Sequence, residues 1–225
     1  MKQIYCIGPF NSGTNLINKI LENNQCYDNN TSTFVDVLRD FEKWFGTCSL
    51  KHSFDLDRLQ KYLLDKNCYI IIMYKNVFNW LYSIKKSPYD LEVEKLDKPL
   101  TFSGHKFNNV IDVYNKYYKF YIELEKKYEN ILFLDYHKII NSDNSFNYIN
   151  NKLHKFNFSL VSEEQFKTVL SKPSKTHGNS IKNSKHALDI YLTNQKMVQY
   201  HVKHYTNMYN YVNPNIIDKC TKLSS

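Results

Sequence analysis

The chain has 225 residues, a formal net charge of +8 at pH 7 and a hydrophobic fraction of 42 %, enough to bury one α/β core and too short for two full-sized domains. Tyrosine supplies 19 residues against 5 each of glycine and proline, and no low-complexity stretch interrupts the chain, which excludes a disordered polymer. The positive charge favours anionic partners, but the lysines are dispersed among acidic neighbours, as in Glu123 to Lys127, and form no stripe specific for nucleic acid.

Ile4 to Ile7 is a short apolar run stopped by Gly8-Pro9. Leu16, Ile17, Ile20 and Leu21 follow at helical spacing, so the opening segment reads as strand, tight loop, helix. Thr33 to Phe45 alternates apolar and charged positions at helical spacing, Cys48 to His52 reads as a short strand, and Leu56, Leu59, Tyr62 and Leu63 mark a helix face. Cys68 to Tyr74 is the most apolar continuous segment, with the β-branched content of a strand buried on both faces. Asn76 to Lys86 predicts a helix, and Ser87 to His105, with Pro88, Pro99 and Gly104, a long loop or lid.

Phe107 to Tyr128 is the longest predicted helix, with Val110, Val113, Tyr114, Tyr117, Tyr121 and Leu124 on one side. Ile131 to Leu134 is a second buried-type strand. Amphipathic segments at Phe146 to His154 and Glu163 to Leu170 precede a loop from Lys172 to Lys185 and a closing helix from Leu188 to Tyr205. Strands alternating with helices predict a three-layer α/β/α domain with a mostly parallel central sheet, whose ligands bind at the carboxyl ends of the strands. The expectation is a single domain over residues 1–225, with its motifs in 3–185 and a C-terminal helical closure in 186–225.

Cys6, Cys26, Cys48, Cys68 and Cys220 are scattered without CxxC spacing, and the histidines lack HExxH spacing. This predicts a metal-independent protein in a reducing compartment. The apolar run after Met1 is too short for a signal-peptide core or a membrane span, so a soluble, cytoplasmic protein is expected.

Gly8-Pro9-Phe10-Asn11-Ser12-Gly13-Thr14-Asn15 has the spacing of a phosphate-cradling loop, in which glycines allow close backbone approach and the following helix offers N–H groups to an anion. A nucleotide-triphosphate loop reads GxxxxGK[ST]. Here Thr14 stands at the lysine position and Asn15 at the magnesium-binding hydroxyl, which argues against a P-loop kinase using magnesium-ATP.

Ser12-Gly13-Thr14 after a strand resembles the 5′-phosphosulfate loop of the sulfotransferases, which use 3′-phosphoadenosine 5′-phosphosulfate and release 3′-phosphoadenosine 5′-phosphate. The resemblance implies a P-loop-like fold, with Asn11, Ser12, Gly13, Thr14 and Asn15 on the cofactor; Asn11 departs from the family's Lys or Arg. Lys75 to Ser83 follows the isoleucine-rich strand at the interval of the family's R-N-P-x-D-x-x-x-S element, which implies that Lys75, in place of Arg, and Ser83 hold the 3′-phosphate.

Lys51-His52 resembles the family's K-H pair, with His52 as the base that removes the acceptor hydroxyl proton and Lys51 on the cofactor, substituting for the cation missing at Asn11. Asp135-Tyr136-His137-Lys138-Ile139 is similar to the family's strand-then-Y-E-D-L segment, with His137 and Lys138 replacing the acidic pair. Lys175 to Ser180 is similar to the R-K-G-x-x-G loop, which implies Lys175 and Gly178 over the 3′-phosphate. The implied partner besides the cofactor is a hydroxyl-bearing acceptor: a small molecule, a sugar or a protein tyrosine. A catalytically silent nucleotide-binding protein of the same fold is the alternative that Asn11 and Lys75 leave open.

Overall fold

The structure, a computed structural model, describes residues 1–37, 44–45, 48–86, 91, 96–141, 143–171 and 210–225. Strand β1 (Gln3–Ile7) leads through a tight loop into helix α1 (Thr14–Asn23). The apolar positions Leu16, Ile17, Ile20 and Leu21 are all buried, and the chain turns away at Gln25 with φ 49°. Short strands β2 (Tyr27–Asp28), β3 (Thr33–Phe34), β4 (Asp36–Val37), β5 (Trp44–Phe45) and β6 (Cys48–Ser49) precede a 3₁₀ turn over Leu50–His52. Helix α2 (Leu56–Leu63) starts where the Asp55 side chain accepts from the N–H of Asp57, and runs into β7 (Cys68–Tyr74).

Helix α3 (Val77–Lys86) follows, then the strands β8 (Leu100–Phe102) and β9 (His105–Phe107), and α4 (Val110–Lys127), capped by Asn109 on the N–H of Asp112. The remaining described elements are β10 (Ile131–Asp135), α5 (Tyr136–Ile140), α6 (Ser145–Leu153), β11 (Phe158–Ser159), α7 (Glu163–Ser171) and α8 (Pro214–Leu223), which has Pro214 in its first turn and Asn213 as its cap.

The central sheet has the order β10-β7-β1-β4, with every pairing parallel. Ile7 lies opposite Ile72 and Asp135 opposite Tyr74, so the carboxyl ends of β1, β7 and β10 finish side by side. Alternation along these strands supplies two apolar clusters. Tyr5, Ile7, Ile70, Ile72, Tyr74, Ile131 and Phe133 pack with α2, α3, α4 and α8; Ile4, Cys6, Ile71, Met73, Leu132 and Leu134 pack with α1, α5, α6 and α7. Each fully buried isoleucine of β7 contributes about 1.5–3 kcal/mol, which is why this run becomes the middle of a covered sheet. Edge strand β10 is closed by side chains: Lys155 Nζ donates to the Ile131 carbonyl at 2.8 Å, and the Asp135 N–H donates to the Tyr148 hydroxyl at 2.8 Å.

Four expectations change. Of the helical segment expected over 33–45, residues 33–34, 36–37 and 44–45 form β3, β4 and β5 and residues 38–43 lie outside the described residues; Thr33, Phe34, Val35 and Val37 suit a pleated surface, β2 and β1 offer pairing edges, and Ser32 (φ 55°) turns the chain from β2 into β3. The strand expected over 48–52 ends at Ser49, and Lys51 and His52 lie in the 3₁₀ turn, where the Lys51 carbonyl takes the N–H of Gly8 at 2.9 Å. Within the expected lid, 100–107 is a hairpin whose turn residues Ser103 and Gly104 both have positive φ. Helix α5 forms where the sequence pattern marks no helix; it starts at Asp135, whose carboxylate accepts from the N–H of His137 at 2.8 Å. The loop at 172–185 and the closing helix at 188–205 lie outside the described residues, apart from which α8 closes the chain at 214–223. Among the described residues no helix is long and apolar enough to cross a membrane. Cys6, Cys26, Cys68 and Cys220 are buried free thiols.

Candidate functional site

The loop between β1 and α1 is shaped by two glycines. A Cβ on Gly8 would stand 2.6 Å from Ser12 Oγ and 3.0 Å from the Met73 carbonyl, so only glycine lets the loop fold back over the strand end. Gly13 has φ +104°, and a Cβ there would meet the Tyr136 ring at 2.5 Å. Asn11 also takes a positive φ, 60°, a conformation that asparagine tolerates better than most residues.

The loop's carbonyls are engaged by donors around it. Gly8 O accepts from His52 Nδ1 at 2.8 Å, Pro9 O from the Ser12 N–H at 3.1 Å, Phe10 O from Trp80 Nε1 at 2.7 Å and Asn11 O from Lys75 Nζ at 3.2 Å. Gly13 O takes the N–H groups of Leu16 and Ile17. Among the described residues, no capping side chain and no acidic residue occupies the first turn of α1, so no side-chain oxygen caps its leading N–H groups at the positive end of the helix dipole. The Ser12 hydroxyl is fully buried and has no hydrogen-bond partner among the described residues. Such an arrangement suits an oxyanion.

Two lysines reach the loop from different directions. Lys51 Nζ donates to Asn15 Oδ1 at 3.0 Å, at the first turn of α1. Lys75, 6 % exposed, sits just past β7; its Nζ donates to Ser83 Oγ at 2.8 Å as well as to Asn11 O, and lies 4.2 Å from the centre of the Tyr136 ring. The Tyr136 ring therefore touches both the Gly13 backbone and the Lys75 cation. Burial, with the Lys75 charge adding to it, pushes the neighbouring His137 down to about 3, so that imidazole is neutral at pH 7.

His52 is buried, its ring Nδ1 on Gly8 O and its backbone carbonyl on the Tyr117 hydroxyl at 2.8 Å. A carbonyl can only accept, so Nδ1 carries the proton in the neutral ring and Nε2 carries the lone pair. The structure thus gathers Asn11, Ser12, Gly13, Thr14, Asn15, Lys51, His52, Lys75 and Ser83 at the carboxyl ends of β1 and β7, while Lys175 and Gly178 lie outside the described residues. Trp80 and Tyr136 also hold the loop. Trp80 falls at a core position of an amphipathic helix, and Tyr136 follows a strand, so neither carries a local signal of its contact with the loop.

No protein-family model, no curated protein and no solved structure matches this chain.

Proposed function

We propose that the chain is a sulfotransferase that moves the sulfuryl group of 3′-phosphoadenosine 5′-phosphosulfate onto a hydroxyl acceptor, on a cytoplasmic three-layer α/β/α domain with a P-loop-like phosphate loop. The observation that carries this reading is the Gly8–Gly13 loop with the start of α1: the carbonyls of Gly8, Phe10 and Asn11 are committed to side chains around the loop, those of Pro9 and Gly13 to N–H groups of the loop and of α1, and the helix start is uncapped and free of acidic residues. That lining, with the buried Ser12 hydroxyl, fits a phosphate or sulfate group.

In this reading the N–H groups of Gly13, Thr14 and Asn15 and the Ser12 hydroxyl hold the 5′-phosphosulfate, with Asn11 at the loop's turn. Lys51 supplies the charge that Asn11 lacks, Lys75 and Ser83 take the 3′-phosphate, and Lys175 and Gly178, outside the described residues, are the further 3′-phosphate residues that the family resemblance implies. The bound cofactor supplies the sulfuryl group: its S–O bond to the 5′-phosphate breaks as the acceptor oxygen bonds to sulfur, and 3′-phosphoadenosine 5′-phosphate remains. His52 Nε2 accepts the acceptor's hydroxyl proton, its tautomer fixed by Nδ1 on Gly8 O. Lys51 and the helix start stabilise the negative charge gathering on the leaving phosphate.

A second reading, a silent nucleotide-binding protein, is favoured by one observation: His52 is only 5 % exposed and its ring serves as an anchor of the loop. Assays with 3′-phosphoadenosine 5′-phosphosulfate against alcohols, phenols, sugars and tyrosyl peptides separate the two. Transfer by the wild-type protein that falls at least about a hundredfold in His52→Gln, with cofactor binding kept, supports the enzyme. Binding without transfer selects the silent protein, and unchanged turnover in His52→Gln removes the base assignment.

A further inference from the structure

Helix α4 places tyrosines at 114, 117, 118 and 121, all fully buried. Phenylalanine would fill such positions without the cost of burying a hydroxyl, so the phenols ask for an account of their oxygens. Every one of them ends on backbone. Tyr114 donates to Lys75 O at 2.9 Å; Tyr118 donates to Met73 O and accepts the Lys75 N–H, both at 3.0 Å. Tyr117 donates to His52 O at 2.8 Å and Tyr121 to Ser53 O at 3.0 Å.

The hydroxyls form two columns. Tyr114 and Tyr118, one helical turn apart, bind the end of β7 at Lys75; Tyr117 and Tyr121, also one turn apart, bind the turn at His52. Lys75 lies beyond the last ladder pair of β7 and is buried, and these phenols serve its N–H and its carbonyl there. The same holds for the carbonyls of His52 and Ser53, which belong to no sheet.

We propose that α4 is the element that fixes where His52 and Lys75 stand relative to one another, with Tyr117 a positioning residue for His52 and Tyr118 for Lys75. The chemical roles of His52 and Lys75 rest on the sulfotransferase reading; the positioning itself rests on the hydrogen bonds alone.

Two arms test it. In the first, ring-¹⁵N histidine NMR follows the His52 imidazole in the wild type, Tyr117→Phe and Tyr118→Phe. Exchange of its Nδ1 proton with water should rise about tenfold in Tyr117→Phe, since the carbonyl that held the turn is released, and stay unchanged in Tyr118→Phe. In the second, titration with 3′-phosphoadenosine 5′-phosphate should weaken about tenfold in Tyr118→Phe and less than about twofold in Tyr117→Phe. Tyr121→Phe and Tyr114→Phe should follow their columns, and carry the test if a first variant does not fold. Unchanged His52 signals in Tyr117→Phe overturn the proposal. So do losses that move both measurements together in proportion to stability, which is what packing alone would give. Wild-type protein that does not bind the bisphosphate ends the sulfotransferase reading instead, and the His52 signals then decide the positioning role by themselves.

Discussion

Lys75 Nζ lies 2.8 Å from Ser83 Oγ, across eight residues that include the turn from β7 into α3, and the same nitrogen holds the carbonyl of Asn11. One buried cation therefore ties the end of β7, the first turns of α3 and the phosphate loop together, where the sequence offered two separate motifs.

Removing either partner of that contact should weaken an anion held there. Lys75→Met is expected to reduce affinity for 3′-phosphoadenosine 5′-phosphate about 10–100-fold, and Ser83→Ala by about tenfold or less. Because the two side chains share one contact, the double variant should bind little worse than Lys75→Met alone, as a calorimetric double-mutant cycle would record. Fully additive losses would mean that the two residues act at separate places.

The glycines offer an internal control on stability. Gly13→Ala drives a methyl into the Tyr136 ring at a φ of +104° and should cost about 1–3 kcal/mol in urea unfolding. Gly104→Ala, at φ +77° with nothing within 4 Å of the new methyl, should cost only the backbone strain, about 1–2 kcal/mol. A Gly13→Ala protein that loses no more stability than Gly104→Ala would mean that Tyr136 does not press on the loop.

His137 predicts a pH dependence. Its ordinary value of 6.5 is pushed down to about 3 in the fold by burial, with Lys75 adding to it. Between those values the unfolded chain binds a proton that the folded chain refuses, so stability rises with pH across the window and is lost on acidification, by at most about 1.4 kcal/mol per unit. Urea midpoints between pH 7 and pH 4 should fall further for wild type than for His137→Gln. Parallel curves would mean that His137 is not held neutral.

Much of the fold is legible because it is periodic. The isoleucine run of β7, the 3.6-residue stripe of α4 and the Gly8–Pro9 break each state their structure within a few residues. The exceptions are places where tertiary pairing overrides local pattern: Thr33 to Val37 becomes two strands because β2 and β1 stand ready to pair, and α5 forms because the Asp135 carboxylate can cap it. At the site, the glycine spacing points to the loop, and the resemblance to the sulfotransferases points to Lys51-His52 and to Lys75 with Ser83. They could not say that Lys75 and Ser83 touch each other, since that depends on how α3 leaves β7. Nor could they say that the stripe tyrosines Tyr114, Tyr117 and Tyr121 send their hydroxyls to carbonyls 39–68 residues away. The stripe announces burial; the destination of its oxygens is a long-range fact.

The most direct measurement is calorimetric titration with 3′-phosphoadenosine 5′-phosphate, beside 5′-AMP and magnesium-ATP. A sulfotransferase site built from the Gly8–Gly13 loop, Lys75 and Ser83 predicts micromolar binding of the bisphosphate, at least about tenfold weaker binding of 5′-AMP, and no gain from magnesium. Preference for magnesium-ATP, or no binding of any of the three, would contradict it.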